Sequence, residues 1–258
     1  MSAVTIKSAQ ELEYMREAGR ILASVHQTLG DALCEGMSTL EIDTLGEEII
    51  RSFGCEPSFL NYMGYPASVC VSVNDEVVHG IPREDHIITN GDIVSLDIGV
   101  IYKGYHSDAA RTHGVGEISP EAQALIDVTR ESFFAGIEQA TAGRHLNDIS
   151  SAIGDYATKR GYGVVRDLVG HGIGTHLHEE PEMTPEGELG VDPTAVTLNL
   201  NLAMINIGSP NVVWMDDEWT VVTEDESLSA HYENTIIITD GRPEILTLTE
   251  SEKHLWTN

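Results

Sequence analysis

Two periods alternate along this chain. From Ser8 to about Leu29 apolar residues recur at helical spacing, and Ser8-Ala-Gln-Glu11 opens the run as a capping box. Ser38-Thr-Leu-Glu41 repeats that signal and predicts a second helix to about Phe53, stopped by Gly54. The period then shortens to two. Residues Ala67 to Asn74 alternate as a strand, and Ile93 to Asp108 read as two strands joined by a tight turn at Lys103-Gly104. Helical spacing returns from Pro120, a residue favoured in a first turn, to about Ala140. A fourth helix is predicted from Leu146 to Lys159, before Gly161-Tyr-Gly. The remainder is β-rich, with strands expected at Thr197–Ile207, Val212–Met215, Trp219–Val222 and Thr235–Thr239, joined by acidic turns. The most irregular internal stretch is Glu179–Pro193. Helices, strands, helices, strands: this order predicts an α+β fold of two halves around a shared antiparallel sheet. With no short-period repeat and no linker, residues 1–258 read as one domain.

Composition narrows the classes. A chain of 258 residues, 41% hydrophobic, can bury a large core. It has no apolar run of about eighteen residues, so a transmembrane helix is not expected. The N-terminal residues lack a signal-peptide core. Three cysteines, Cys34, Cys55 and Cys70, have no metal-pair spacing and suggest free thiols in a reducing compartment, hence a cytoplasmic protein. The 42 acidic residues outnumber the 14 basic ones, for a formal net charge of −28. Residues 171 to 241 contain no Lys or Arg. Such a surface attracts cations and disfavours nucleic acid. A salt-rich cytoplasm and an ordinary acidic enzyme both account for it; stability that rises with salt would single out the first.

Candidate chemistry begins at Asp97 and Asp108. A hairpin turning at Lys103-Gly104 brings these carboxylates near each other on facing strands. Two close, partly buried carboxylates resist ionisation unless a cation lies between them, and hard divalent cations prefer oxygen. The alternative is two solvated strand carboxylates. Gly170-His-Gly-Ile-Gly-Thr-His-Leu-His178 sets three histidines among glycines, which let backbone approach a ligand closely. His79 ends an apolar strand where the chain turns, and Glu233 opens one, where a buried carboxylate needs a partner.

Taken in order, these residues and their flanking text resemble the type I methionine aminopeptidases. The matching segments are Ser68 to Pro82, Asn90 to Asp97, Val169 to Gly174, His178-Glu-Glu-Pro181, Asp217-Glu-Trp-Thr220 and Leu228 to Glu233. The resemblance spans about residues 5 to 248. It implies the pita-bread fold, a pseudo-twofold antiparallel sheet flanked by helices, with two divalent metal ions (Co, Mn, Fe or Zn). By resemblance Asp97 chelates one ion, His171 binds the other, and Asp108 and Glu233 bridge both. His178 contacts the scissile carbonyl and His79 the amide. The methionine side chain lies in a pocket including Tyr62, Tyr65, Cys70 and Trp219, with Phe59 and Leu177 beside it. The implied activity is removal of N-terminal methionine from peptides and nascent chains by a monomer. A catalytically inactive relative that binds peptide termini or a protein partner is the alternative; a proline-directed relative is disfavoured by the flanking text.

One ligand of the pattern is missing. The family places a fifth carboxylate before a Pro-Met-like pair; aligned on Met204-Ile-Asn206, its position is held by Leu202, and aligned on Pro193, by Leu200. No acidic residue lies between Asp192 and Asp216. The His171 site is therefore expected to be weakened, with impaired activity. Leu198, Leu200 and Leu202 share one strand face, and Asn199 and Asn201 the other, so a one-residue slip turns Asn201 toward the metals. Glu182, Glu186 or Glu188 are further substitutes from the loop.

Overall fold

The computed structural model describes residues 4–168, 170–183, 190–191, 196–200 and 203–256. Helix α1 spans Ala9–Ala32 and α2 spans Thr39–Ser52, each opened by the capping box read in the sequence. At Ser38 the hydroxyl accepts from the Glu41 N–H at 3.1 Å, and the Glu41 carboxylate accepts from the Ser38 N–H at 2.8 Å. These helices cover one face of an antiparallel sheet built from β1 (Val69–Val73), β3 (Ile93–Tyr102) and β4 (Tyr105–Gly114). Strand β2 (Glu76–Val78) follows β1 directly. Alternation divides β3 cleanly. Val94, Leu96, Ile98 and Val100 pack into the helix-covered core with Leu22, Leu29, Ile42 and Ile50, so Asp97 points the other way.

Helices α3 (Pro120–Ile137) and α4 (Leu146–Thr158) cover the second half. The third ends before Ala140 because the Gln139 and Ala140 N–H groups bond back to Gly136 and Ile137, tightening the chain into turns. This half of the chain carries β5 (Gly170–Gly172), β6 (Glu179–Met183), β7 (Thr197–Asn199), β8 (Ala203–Asn206), β9 (Val212–Trp214), β10 (Val221–Thr223), β11 (Ser229–Tyr232) and β12 (Thr235–Ile237), of which β9 and β10 form a separate sheet with β2. Their apolar side chains, including Leu198, Leu200, Ile236 and Ile238, pack with Phe133, Ile137 and Ile153.

Two strand expectations are corrected. Thr197–Ile207 is two strands in different sheets: β7 pairs with β5 and β12, whereas β8 pairs with β11. Trp219 is in a turn, not a strand, because the Asp217 carboxylate accepts from the N–H groups of Trp219 (2.9 Å) and Thr220 (2.8 Å). The halves meet where Ala110 and Glu233 exchange backbone hydrogen bonds of 3.3 and 3.1 Å. No helix among the described residues is long and apolar enough to cross a membrane.

Candidate metal centre

The hairpin register sets the first two carboxylates. Asp97 lies opposite Ala110 and Asp108 opposite Gly99, so all four residues share the face turned from α1 and α2. The turn is as read: Lys103 and Gly104 have φ of 50° and 82°, the left-handed pair a two-residue hairpin requires. Gly99 is needed for close approach, since a Cβ there would lie 2.7 Å from the Ser58 Cβ. Asp97 and Asp108 are 7% and 5% exposed. Burial, then the neighbouring Glu233 charge, push both carboxyls well above the ordinary range. Asp97 Oδ1 and Asp108 Oδ1 have no hydrogen-bond partner among the described residues.

Glu233 sits fully buried between β11 and β12. A clamp behind it holds the two halves together. Arg111 donates to the Glu233 carbonyl (2.6 Å), the Asn234 side chain (2.7 Å) and the Glu252 carboxylate (3.0 Å). Burial raises the Glu233 carboxyl, but His231, 2.9 Å away, together with His171 and Asn199, lowers the group overall. Ligand atoms of Asp97, His231 and Glu233 all lie within 4.8 Å of one another. His231 was missed in the sequence. Its signal was there: two residues before Glu233 on a strand, it shares that residue's face.

His171, on β5, donates from Nδ1 to the Gly172 carbonyl at 2.9 Å, which leaves Nε2 as the nitrogen that carries a lone pair. Beside it on β7 is Asn199, which shares a row with His171 and Thr235. Its amide nitrogen donates to Asp108 Oδ2 at 2.8 Å and to Glu233 Oε1, and lies 3.3 Å from His171 Nε2. Thus Asn199 reaches the carboxylates. Asn201, Leu202, Glu186 and Glu188 lie outside the described residues, as does the side chain of Glu182.

His79 has φ of 58°, unusual for a residue with a side chain. The bend is anchored by Gly80, whose N–H donates to Ser72 Oγ at 3.1 Å and whose carbonyl accepts from Tyr65 at 2.9 Å. Burial, then His231, push the His79 imidazole down to about 4. His178 stacks on Tyr62, whose hydroxyl lies 2.7 Å from Nδ1. Desolvation by the cleft walls, then the His171 ring, lower its affinity for a proton, although its open side meets water.

One cavity of about 230 Å³ joins these groups. Its floor carries Asp97, Asp108 and His171, its rim His79 and His178, and its apolar wall Phe59, Tyr62, Tyr65, Cys70, Leu177 and Trp219, with Met63 at the edge. Two larger cavities, about 330 and 350 Å³, flank Arg111 and Glu252, which pair with each other at 2.7 Å. The smaller one holds the chemistry. Three buried carboxylates beside an imidazole lone pair fit divalent cations, which offset their mutual repulsion and desolvation.

Comparison with known proteins agrees. Metallopeptidase family M24 matches residues 13–240. The chain is 49% identical to methionine aminopeptidase of Clostridium acetobutylicum, over 96% of this chain and all of the relative. The fold superposes on methionine aminopeptidase from Rickettsia prowazekii with TM-score 0.92 and 36% identity, covering 95% of this chain and 100% of that one. The methionine aminopeptidase of Thermotoga maritima gives 0.91 at 38% identity, with the same coverage. The halves joined at Ala110 and Glu233 are those of the pita-bread fold, and the chain belongs to metallopeptidase family M24, among its methionine aminopeptidases.

Proposed function

We infer that this protein hydrolyses the N-terminal methionine from peptides and nascent chains, using two divalent cations. The observation that carries the reading is the single cavity whose floor is carboxylate and imidazole and whose wall is aromatic and thiol. Asp97 would hold one cation and His171 the other, with Asp108 and Glu233 shared. Manganese, iron, cobalt and zinc all suit mixed oxygen and nitrogen ligation. When bound, they supply Lewis acidity and a water of lowered pKa.

The remaining work belongs to the chain. The wall takes a methionine side chain, because aromatic faces suit a flexible thioether. Neutral His178 accepts from the Tyr62 hydroxyl at Nδ1, which leaves its Nε2–H free to donate to a substrate carbonyl oxygen as charge develops there. His79, also neutral, stands across the cleft from the Trp219 ring, centroids 6.3 Å apart, placed to contact the amide nitrogen. The family resemblance and acidic surface support a cytoplasmic monomer that acts on peptide termini and not on nucleic acid.

The test is turnover of a Met-Ala-Ser peptide with Mn²⁺, Co²⁺ or Fe²⁺. Activity that disappears in Asp108→Ala is expected. Peptide binding without turnover in any metal would establish the inactive relative instead.

A further inference from the structure

We propose that Asn199 is a metal ligand: its side-chain amide oxygen binds the cation on the His171 side, as a neutral donor beside His171 Nε2, Asp108 and Glu233. The inference rests on the two-cation reading above and assigns a residue to it.

The hydrogen bonds of Asn199 point there. The side chain is completely buried. Its nitrogen touches three atoms, and each belongs to a candidate ligand: Asp108 Oδ2, Glu233 Oε1 and His171 Nε2. An amide nitrogen has two hydrogens and cannot satisfy three acceptors. Meanwhile the Asn199 oxygen is buried with no hydrogen-bond partner among the described residues. Half a turn about the terminal torsion exchanges the two ends of an amide. That places Oδ1 among three electron-rich atoms, an arrangement that is repulsive alone and favourable around a divalent cation, which readily takes an amide oxygen.

The backbone keeps Asn199 in place. It pairs with His171 on one side and Thr235 on the other, and Thr235 Oγ1 also accepts from the Asp108 N–H at 3.0 Å. Its neighbours Leu198 and Leu200 are fully buried in the helix-covered core. A slip by one residue would drive a leucine against the carboxylates and an amide into the core, so the register is fixed.

The consequence is an asymmetric centre. Asp97, Asp108 and Glu233 offer three negative charges, and Asn199 adds none. The cation at His171 is held by one carboxylate fewer than an acidic residue there would provide, so the Asp97 side fills first.

Calorimetric titration of chelator-stripped, full-length protein with Mn²⁺, with bound metal counted by elemental analysis, tests this. The wild type should show a tight step and a weaker one. Asn199→Asp should tighten the weaker step about 10- to 100-fold, the range over which single groups at metal sites act. Asn199→Leu should remove the weaker step and spare the tight one. Leu202→Glu should alter neither. Should Asn199→Leu fail to fold, Asn199→Ser replaces it, with a weakened second step expected. Two undisturbed steps in the Leu or Ser variant overturn the inference, as does tightening by Leu202→Glu in place of Asn199→Asp. Wild-type protein that binds no Mn²⁺ overturns the metal reading altogether; two bound ions indifferent to Asn199 overturn this inference alone.

Discussion

The Asp97 side and the His171 side of the centre are built from different material. Asp97 stands on a ladder of ten consecutive pairs, from Ile93↔Gly114 to Tyr102↔Tyr105, closed by a two-residue turn. Its position follows from a local rule repeated along two strands. His171 and Asn199 stand on three-residue strands, and the pairing of His171 with β6 shifts register at the next residue. Their position depends on partners far away in sequence: Thr235, Glu233 and Asp108. A long ladder makes a rigid carboxylate platform. Short strands borrow their geometry from whatever they pack against, so ligation on that side is more sensitive to single changes.

The largest expected effect tests whether the clamp behind both sides supports them equally. Glu252→Gln leaves the Arg111 guanidinium buried without its carboxylate, and urea unfolding should show a loss of about 3–5 kcal/mol. A loss below about 1 kcal/mol would mean that the halves are held chiefly by other bonds across the joint, such as Ala110–Glu233 and Thr112–His231. Next, His178→Ala should lower kcat on Met-Ala-Ser by about 10²–10³-fold with metal content unchanged, as for a lost oxyanion donor. An effect confined to KM would reassign the residue to binding.

Acid should reveal the Asp97 side from behind. His26, whose Nε2–H donates to the Ala109 carbonyl at 2.8 Å, is pushed down to about 3 by burial and then by Arg111. His113 is pushed down to about 4 by the same causes. Their folded pKa values lie below the unfolded value of about 6.5, so their contribution is complete above that pH. It declines as pH falls from there toward the folded values, by up to about 1.4 kcal/mol per pH unit per histidine. Thermal melts at pH 7, 6 and 5 should show the fall, and His26→Gln should flatten it; a slope unchanged in that variant would remove His26 from the account. The smallest effect concerns the cleft rim. Tyr62→Phe removes the hydroxyl that fixes the His178 tautomer, and kcat should drop about tenfold, the worth of one neutral hydrogen bond. An unchanged kcat would show that His178 is oriented by His171, whose ring centroid is 4.1 Å away.

Legibility followed the same division. The capping boxes at Ser8 and Ser38 and the Lys103-Gly104 turn are local signals, and each formed where it was read. Thr197–Ile207 misled because an alternating run looks the same whether it stays in one sheet or crosses to another. The six wall residues and six candidate ligands and catalytic groups were assigned by resemblance, and the structure brings eleven of these twelve to one cavity, with Glu233 beneath it. Neither Asn199 nor His231 was assigned a role. In the sequence Asn199 is one member of the polar face of its strand, and His231 is a neighbour of Glu233 with no motif of its own.

The chain by itself determined where helices start, where the hairpin turns, and which side chains are acidic, aromatic or imidazole, because caps, turns and alternation act over a few residues. Only the tertiary structure decided that β7 and β8 part company, that Asn199 lies against Asp108, Glu233 and His171, and that Arg111 braces both halves. Those choices are made by contacts between residues tens of positions apart, where burying Leu198 and Leu200 fixes the register and carries Asn199 to the carboxylates.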